Sequence, residues 1–525
     1  MTTGRSGARR EVLVTSGVAL TLLAMVALLA AAGRVPTGDG PHLAATTFEI
    51  ADGLRAGDLA TAFGTWSTRV SPQPPAGYAP GVLAALFLGD RWLAPLLTGA
   101  FALGLVWNAL RRLADNALPW APALVIVANP ICWLYVEQYG WDLLTGAAVL
   151  QAIAWLHASR GLRDIPAARR FGLWMGLGFL TKYTFPMFLW LPCLWAGVGI
   201  LRGPDRGARL ATLGQAVGIF VLFVAPWTAV NHPELFAYLG RSVGSDAVAA
   251  VEASRAGANR FTAASLALYP LALKDALGWP GALALAGVAV GSVFFGGGGG
   301  PPQRPPSHAR PGTFVAALAA FGGLSVLSVL EQSQDRYALP ALLALAALAQ
   351  PLARLPWGLE VFVGVFGIQL LGTVATFRPG APTYTPRFDH DLASATAMSW
   401  PVSRSYLPTH VDLDAWRIDE ALTRLAGFAG DAPAALVLPD DPRLPEPGLY
   451  LLRARQLDLP LTLRVARPRG ASAPRDGWPT RDIGAVYTIW TPGVDTATEA
   501  WMAGSGRVAL AEIALPRPLS GAVLR

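Results

Sequence analysis

The chain has little charge and almost no lysine. Only 14% of its 525 residues are charged and 53% are hydrophobic, whereas ordinary soluble domains have about 25% charged residues. Lys182 and Lys274 are the only lysines, so arginine supplies nearly all of the positive charge behind the net value of +7. No basic stripe with interleaved aromatic side chains accompanies that charge, which argues against nucleic acid as a partner.

Cysteine is also scarce. Cys132 and Cys193 lie inside apolar runs and lack the close spacing of metal-binding cysteines. We therefore interpret both as small buried hydrophobic residues. They indicate no metal site, and they say little about the redox compartment.

Long apolar runs dominate the chain up to Phe377. Runs of about 17 to 25 residues recur there, and each is long enough to cross a hydrocarbon core about 30 Å thick. Short loops rich in arginine stay cytoplasmic. Here they are the N-terminus, Arg111 with Arg112, and the stretches 160–170, 202–209 and 304–310. The pattern predicts a multi-pass protein of the cell inner (plasma) membrane with a cytoplasmic N-terminus.

Threading the apolar runs between these loops predicts about eleven transmembrane helices. They lie at roughly 12–32, 92–110, 119–136, 142–158, 169–184, 186–202, 208–229, 277–296, 312–331, 337–352 and 357–376. The segments 33–79 and 231–277 and the C-terminal tail then lie on the outer side. The short apolar run 80–88 has three interpretations: a re-entrant helix, an interfacial helix, or half of an additional hairpin that would change every later assignment.

The composition changes from about residue 378 onward. Charged residues and prolines become frequent there, and no run is long enough to span a membrane. We interpret PAALVLPDD, GLYLLRARQ and AVYTIWTP as short strands bounded by turn residues. The predicted fold class is thus an all-α polytopic membrane protein over residues 1–377, with a small C-terminal soluble α/β or β-rich extracytoplasmic domain over residues 378–525.

Four ionisable residues interrupt the apolar part, and the topology places all of them on the outer side: Asp39, Asp142, Lys182 and Arg336. An ionisable side chain at membrane depth costs about 3 kcal/mol or more, so it is retained where it lines a cavity or serves a site. Two acids and two bases on one face indicate chemistry on a molecule that carries a hydroxyl and a phosphate. Each acid also has a plainer interpretation as a helix N-cap, and Lys182 as a side chain that snorkels to the interface.

Five motifs occur in a fixed order along the apolar part. They are GDGPHLAATTFEIADGLRAGD, PQPPAGYAP, EQYGWDLL, GFLTKYTF and DRYALP. As an ordered set, they resemble the GT-C glycosyltransferases that use polyprenyl-phosphate sugars, including protein O-mannosyltransferases and aminoarabinose transferases. The resemblance covers roughly residues 12–376, and no single motif is specific by itself.

The resemblance implies a GT-C fold with a polyprenyl-phosphate sugar as donor. The acceptor would be a hydroxyl of a lipid, glycan or protein on the outer face, and its attack would invert the anomeric carbon. Asp39 matches the acid that follows the first span in this family and is the candidate general base, and either Asp142 or Glu137 supplies a second carboxylate. Lys182 and Arg336, with the adjacent Tyr337, match the positions that bind the donor phosphate.

Four further residues are candidates for substrate binding: His42, Gln73, Tyr78 and Glu137. Relatives often carry an acid, histidine or lysine in the proline block, where this chain has Pro72 and Gln73. Neither side chain is a good metal ligand. A divalent metal stays an alternative that the sequence does not decide, and no other cofactor is predicted.

A second interpretation is a transporter or flippase of lipid-linked saccharides, which also needs cations near phosphate. Transporters tend to show internal repeats and ionisable residues near the bilayer midplane. This sequence shows no repeat, and its charges cluster at the outer ends of helices. A third interpretation is an inactive scaffold whose outer domain binds a partner.

Overall fold

The computed structural model describes most of the helical part of the chain and separate segments of its C-terminal part. Described are residues 3–32, 40–68, 74–89, 92–114, 126–243, 312–327, 337, 339–348, 358–378, 418–429, 434–437, 447–457, 459, 463–466, 485–490, 513–514 and 523–524. The predictions for Asp39, Gln73 and Arg336 fall outside these residues, as do the predicted span 277–296 and most of the outer segment 231–277.

The part before residue 378 is helical wherever its elements are described. Its helices are α1 (Thr3–Ala32), α2 (Gly40–Arg55), α3 (Leu59–Thr68), α4 (Ala79–Leu88), α5 (Leu93–Leu113), α6 (Pro130–Glu137), α7 (Trp141–Ala158), α8 (Ile165–Phe179), α9 (Trp190–Leu201), α10 (Arg206–Val243), α11 (Gly312–Leu327), α12 (Leu339–Ala346) and α13 (Gly358–Phe377), with 3-10 turns at Pro75–Gly77 and Phe185–Phe188. Every predicted span other than 277–296 coincides at least in part with one of them. The total of eleven crossings stays a prediction.

Four helical stretches within the described ranges are long and apolar enough to cross a membrane. They are Val12–Ala32, Leu93–Leu113, Arg206–Pro233 and Glu360–Phe377. The chain is therefore a multi-pass membrane protein by the length and composition of its helices.

Helix α4 contains the run 80–88. It begins with Pro80 in its first turn and ends before Gly89, whose φ of 72° stops the helix. Ten residues rise about 15 Å, which is half of a hydrocarbon core. α4 packs against α2 and α5. The three interpretations of the run 80–88 stay open, because other predicted spans of this chain also contain helices this short.

Helix α7 is the central helix of the bundle. Every residue from Trp141 to Leu156 is buried, and a helix that is apolar all round belongs in a core. α5, α8, α11 and α12 surround it. Gly146 permits the close approach of α12, since a Cβ at this position would lie 2.6 Å from the Leu343 side chain. Because α7 touches so many neighbours, groups at its two ends are held in place by the whole bundle.

The arginine-rich end of the bundle is closed by a buried guanidinium. Arg209 is 5% exposed and donates from Nε to the Gly161 carbonyl at 2.7 Å and from Nη1 to the Gly199 carbonyl at 2.6 Å. Arg160 and Leu162 have φ values of 52° and 67°, a left-handed conformation that costs non-glycine residues energy. Arg209 therefore ties the strained loop between α7 and α8 to the end of α9.

The first prediction concerns this tie. In Arg209→Ala the two carbonyls lose their donor in a buried place, so we expect the free energy of unfolding to fall by about 2 kcal/mol or more. Thermal unfolding of the purified full chain measures the loss. Arg163→Ala is the control, because Arg163 pairs with Asp205 at the exposed surface and such pairs contribute less than about 1 kcal/mol. Equal unfolding temperatures for the two variants would contradict the assignment.

The C-terminal part contains a mixed sheet. Its strands are β1 (Ala434–Val437), β2 (Leu463–Ala466), β3 (Ala485–Trp490), β4 (Ile513–Ala514) and β5 (Val523–Leu524). Their order is β2-β1-β3-β5-β4. β1 is parallel to β2 and β3, whereas β5 is antiparallel to β3 and β4. Helices α14 (Ile418–Ala429) and α15 (Pro447–Gln456) accompany the sheet, so this part is α/β; its boundary and its solubility stay predictions.

One strand prediction was wrong. The segment GLYLLRARQ lies in helix α15, whereas PAALV and AVYTIW contain strands β1 and β3 as predicted. Leucine, arginine and glutamine favour helix, and Pro447 occupies a first helical position that needs no N–H. A short apolar run such as LYLL does not distinguish strand from helix by periodicity.

Helix α15 rests on α2, the helix that follows Asp39 in the sequence. Leu452 of α15 is buried in one apolar cluster with Phe48 and Ile50 of α2. Arg455 forms an ion pair with Asp52 of α2. Burial lowers the pKa of the Arg455 guanidinium, and the nearby Glu49 carboxylate opposes that shift. The contact thus combines apolar burial with a partly buried charge pair.

Further hydrogen bonds and ion pairs extend the contact between α2 and α15 to neighbouring helices. In α2, Arg55 donates to Asp52 at 2.5 Å and to the Ala85 carbonyl of α4. In α15, Arg453 forms a two-pronged pair with Asp419 of α14, with both N···O distances at 2.7 Å. The C-terminal helices are therefore linked through α2 to the short helix α4.

The second prediction tests this link. In Arg455→Ala, we expect α2 to open locally more often, with backbone amide exchange in residues 40–55 about fivefold faster for a loss of about 1 kcal/mol. Hydrogen exchange followed by mass spectrometry measures it. The matched control is Arg424→Ala, which breaks an exposed pair with Glu420 inside α14. Unchanged exchange in α2 would mean that Arg455 does not fix this helix.

Candidate functional site

Asp142 and Lys182 form a short ion pair. Lys182 Nζ lies 2.5 Å from Asp142 Oδ1. The Asp142 side chain is 3% exposed and that of Lys182 is 22% exposed, so the pair is shielded from water on the carboxylate side and reachable on the ammonium side. The sequence predicted both residues on one face of the membrane, and the structure brings them into direct contact.

Local helix geometry explains why the pair forms. Asp142 lies in the first turn of α7, where the positive end of the helix dipole favours a carboxylate. Lys182 follows the end of α8, and its backbone N–H donates to the Gly178 carbonyl, so the negative end of a helix favours its ammonium. A short loop makes α7 and α8 antiparallel neighbours, which puts these two ends at the same level.

The plainer interpretations of these two residues do not hold. The N-cap of α7 is Gly140, with no capping side chain, so Asp142 is not a cap. Lys182 does not simply snorkel, because its ammonium meets a buried carboxylate. Asp58 and Asp164 are acids that do cap helices: Asp58 accepts from the Thr61 backbone at 2.9 Å, and Asp164 accepts from the Ala167 backbone at 2.9 Å. Hydrogen bonds from the Thr61 side chain and backbone lower the pKa of Asp58.

Tyr337 completes the cluster around the ammonium. Lys182 Nζ lies 4.7 Å from the centroid of the Tyr337 ring, within the range of a cation–π contact. Tyr337 is 8% exposed. The structure thus brings together three of the residues that the sequence singled out, from three separate parts of the chain.

The proline block lies next to this cluster. The Ala76 backbone N–H donates to the Leu180 carbonyl at 2.8 Å, two residues before Lys182. Tyr78 packs edge-on against Trp141, with ring centroids 4.5 Å apart. Tyr78 is 1% exposed. Tyr78, which the sequence predicted as a substrate-binding residue, is therefore a buried side chain that packs against the start of α7.

The turn between α6 and α7 holds Glu137 beside the start of α7. Glu137 is the last residue of α6 and is 3% exposed. Tyr139 follows with a φ of 52°, and its hydroxyl lies 3.0 Å from Thr47 Oγ1 of α2. Sequence reasoning missed Tyr139 and Thr47 as residues that position the site. Gly140 was the one sequence signal of a turn here, and a glycine does not predict that the tyrosine before it adopts a left-handed conformation.

His42 is the remaining substrate-binding candidate among the described residues. It is exposed in the first turn of α2, and its role in substrate binding stays a prediction. Within the described ranges, no group of three or more histidine, cysteine, aspartate or glutamate residues converges as a metal site. At Asp142, Oδ1 contacts the Lys182 ammonium, and metal dependence stays a prediction.

No protein-family model and no curated protein matches the chain. Similar solved structures include ArnT from Cupriavidus metallidurans bound to undecaprenyl phosphate and the same protein in the apo state. For each, the TM-score is 0.60 at 16% sequence identity. The superpositions cover 97% and 98% of this chain, respectively, and 98% of each ArnT chain. The chain therefore shares the fold of these two ArnT structures.

Proposed function

We propose that this protein is a membrane glycosyltransferase that moves a sugar from a polyprenyl-phosphate carrier to an acceptor hydroxyl on the extracytoplasmic face. The observation that carries the proposal is the Lys182 ammonium, held between Asp142 and Tyr337 at one end of a central helix hairpin. The ArnT fold and the undecaprenyl phosphate in one ArnT structure support the same class of donor.

The reaction needs one bond to form and one to break. The acceptor oxygen attacks the anomeric carbon while the bond from that carbon to the phosphate oxygen breaks, which inverts the configuration. The hydroxyl proton goes to a carboxylate, and the bonding electrons go to the departing phosphate. A general base contributes about 10²–10⁴ in rate, and Asp39 is our candidate because it matches the family position.

Lys182 acts on the departing phosphate. A cation placed where negative charge develops stabilises the transition state more than the ground state. The Lys182 side chain is 22% exposed, and Asp142 fixes its ammonium. The ammonium can therefore donate to an incoming phosphate without having to be ordered first. Arg336, next to Tyr337 in the sequence, is the second candidate cation, with a forked set of donors.

Asp142 then holds Lys182 in position. Its carboxylate is buried and already engaged by the ammonium at 2.5 Å. A carboxylate in this arrangement orients its partner and lowers the cost of keeping a cation inside the bundle. We therefore assign Asp142 to the positioning of Lys182. The shape of the pocket, and not these residues, sets which sugar is transferred and whether the acceptor is a lipid, a glycan or a protein.

The third prediction tests the transfer itself. In Asp39→Asn, we expect turnover of a polyprenyl-phosphate sugar to fall by about 10²-fold or more, while binding of the donor persists. Transfer of radiolabelled sugar and donor binding are measured on the same preparation. Asp58→Asn is the control, because Asp58 lies in the same outer segment and caps α3. Retained activity in Asp39→Asn would refute the role of this base, and movement of donor across vesicles without transfer would favour a flippase.

The fourth prediction tests the pair of Asp142 and Lys182. Breaking a buried pair from one side leaves an uncompensated charge, so we expect Asp142→Asn and Lys182→Gln each to destabilise the chain. The double variant should regain part of the loss, with a coupling energy on the order of 1–3 kcal/mol in thermal unfolding. Transfer stays lost in all three variants, because each removes or misplaces the cation.

The control for this cycle is the exposed pair of Arg163 and Asp205, with side chains 46% and 35% exposed. Its coupling energy should stay below about 1 kcal/mol. If the buried pair couples no more strongly than this surface pair, Asp142 does not position Lys182.

A further inference from the structure

Two arginines share one tryptophan ring at the opposite end of the central helix. The Arg112 guanidinium carbon lies 4.0 Å from the centroid of the Trp155 ring, and that of Arg170 lies 4.5 Å from the same centroid. Trp155 belongs to α7 and is 8% exposed. It stands thirteen residues after Asp142, about 20 Å further along the helix, so this cluster is separate from the candidate site.

Three helices position the two guanidinium groups. Arg112 lies in the last turn of α5 and Arg170 near the start of α8. Arg112 Nε donates to Asn108 Oδ1 at 3.0 Å, and the same Oδ1 lies 3.3 Å from Gln151 Nε2 of α7. One edge of the Arg112 guanidinium is therefore fixed by uncharged groups, which orients the rest of its planar fork.

The charge of the cluster is not balanced by the described part of the chain. Neighbouring arginines at this end do have partners: Arg163 pairs with Asp205, and Arg169 donates to Gln215. Across the ranges that the structure describes, no carboxylate forms an ion pair with Arg112 or Arg170. Both are exposed. Two like charges held on one ring repel each other, so an anion bound to both would be favoured.

We propose that Arg112, Arg170 and Trp155 form a binding site for the phosphate of an anionic phospholipid. Arg112 lies in the last turn of the apolar stretch Leu93–Leu113, which is long enough to span a membrane. Arg170 shares the Trp155 ring with it, so both arginines stand at head-group depth. Indole rings also favour this depth, and basic pockets between transmembrane helices bind anionic head groups. Guanidinium groups bind phosphate through paired donors. The lipid binds from the leaflet on the arginine-rich side of the membrane, which the distribution of arginine assigns to the cytoplasm.

The test uses the purified full chain and phosphatidylglycerol as the probe. Binding is measured by native mass spectrometry and by the rise in unfolding temperature when phosphatidylcholine vesicles contain phosphatidylglycerol. Each arginine near the membrane surface contributes to the free energy of lipid binding, so removing both should weaken binding roughly thirtyfold. We expect this loss in Arg112→Gln/Arg170→Gln, with partial retention in Arg112→Lys/Arg170→Lys, which keeps the charge.

The matched control is Arg163→Gln/Arg169→Gln, which removes the same charge from the same end but leaves Trp155 untouched. Phosphatidylglycerol binding close to that of the unaltered chain is expected there. Equal loss in both double variants would overturn the proposal, because binding would follow net charge alone. A stabilisation reproduced by inorganic phosphate without lipid would also overturn it, since the ligand would then be a free anion. If Arg112→Gln/Arg170→Gln does not fold, Trp155→Leu must show the loss.

Discussion

The ion pair of Lys182 and Asp142 is the interaction on which the site depends. It joins the start of α7 to the end of α8, so each charge is stabilised by its own helix end and by its partner. Neither charge would be tolerable alone at this depth. Because α7 is buried on all sides, the pair inherits the rigidity of the bundle. In the function that we propose, a cation fixed in this way needs little reorganisation to bind the donor phosphate, which is what electrostatic catalysis requires.

Helix α2 is the second constraint, because it contacts both the bundle and the C-terminal part. Thr47 meets the hydroxyl of Tyr139 in the turn before α7, and Asp52 meets Arg455 of α15. The same short helix therefore touches the turn that leads to Asp142 and the helices that accompany the C-terminal sheet. Described contacts therefore run from the C-terminal helices through α2 to the turn before α7.

Much of the fold could be predicted from the sequence, because each apolar run of sufficient length has few alternatives to a helix in a membrane. The arginine pattern also placed Asp142 and Lys182 on one side. The direct contact between them could not be predicted, since topology fixes the side of the membrane but not the rotation of a helix. The strand predicted in GLYLLRARQ failed because a short apolar run does not distinguish strand from helix by periodicity, and the local preference of its residues is for helix. The left-handed Tyr139 and the shared ring of Trp155 are products of tertiary packing.

The contact of Asp142 with Lys182 also bears on the roles that we propose for the two acids. To accept a proton from an acceptor hydroxyl, Asp142 would have to give up a contact of 2.5 Å with an ammonium inside a buried site. That exchange would leave Lys182 without its counter-charge at the moment when its position matters most. A base that is not engaged by the phosphate-binding cation avoids this conflict. In the mechanism that we propose, charge balance therefore divides the work: one carboxylate keeps the cation in place throughout the reaction, and a different one takes the proton.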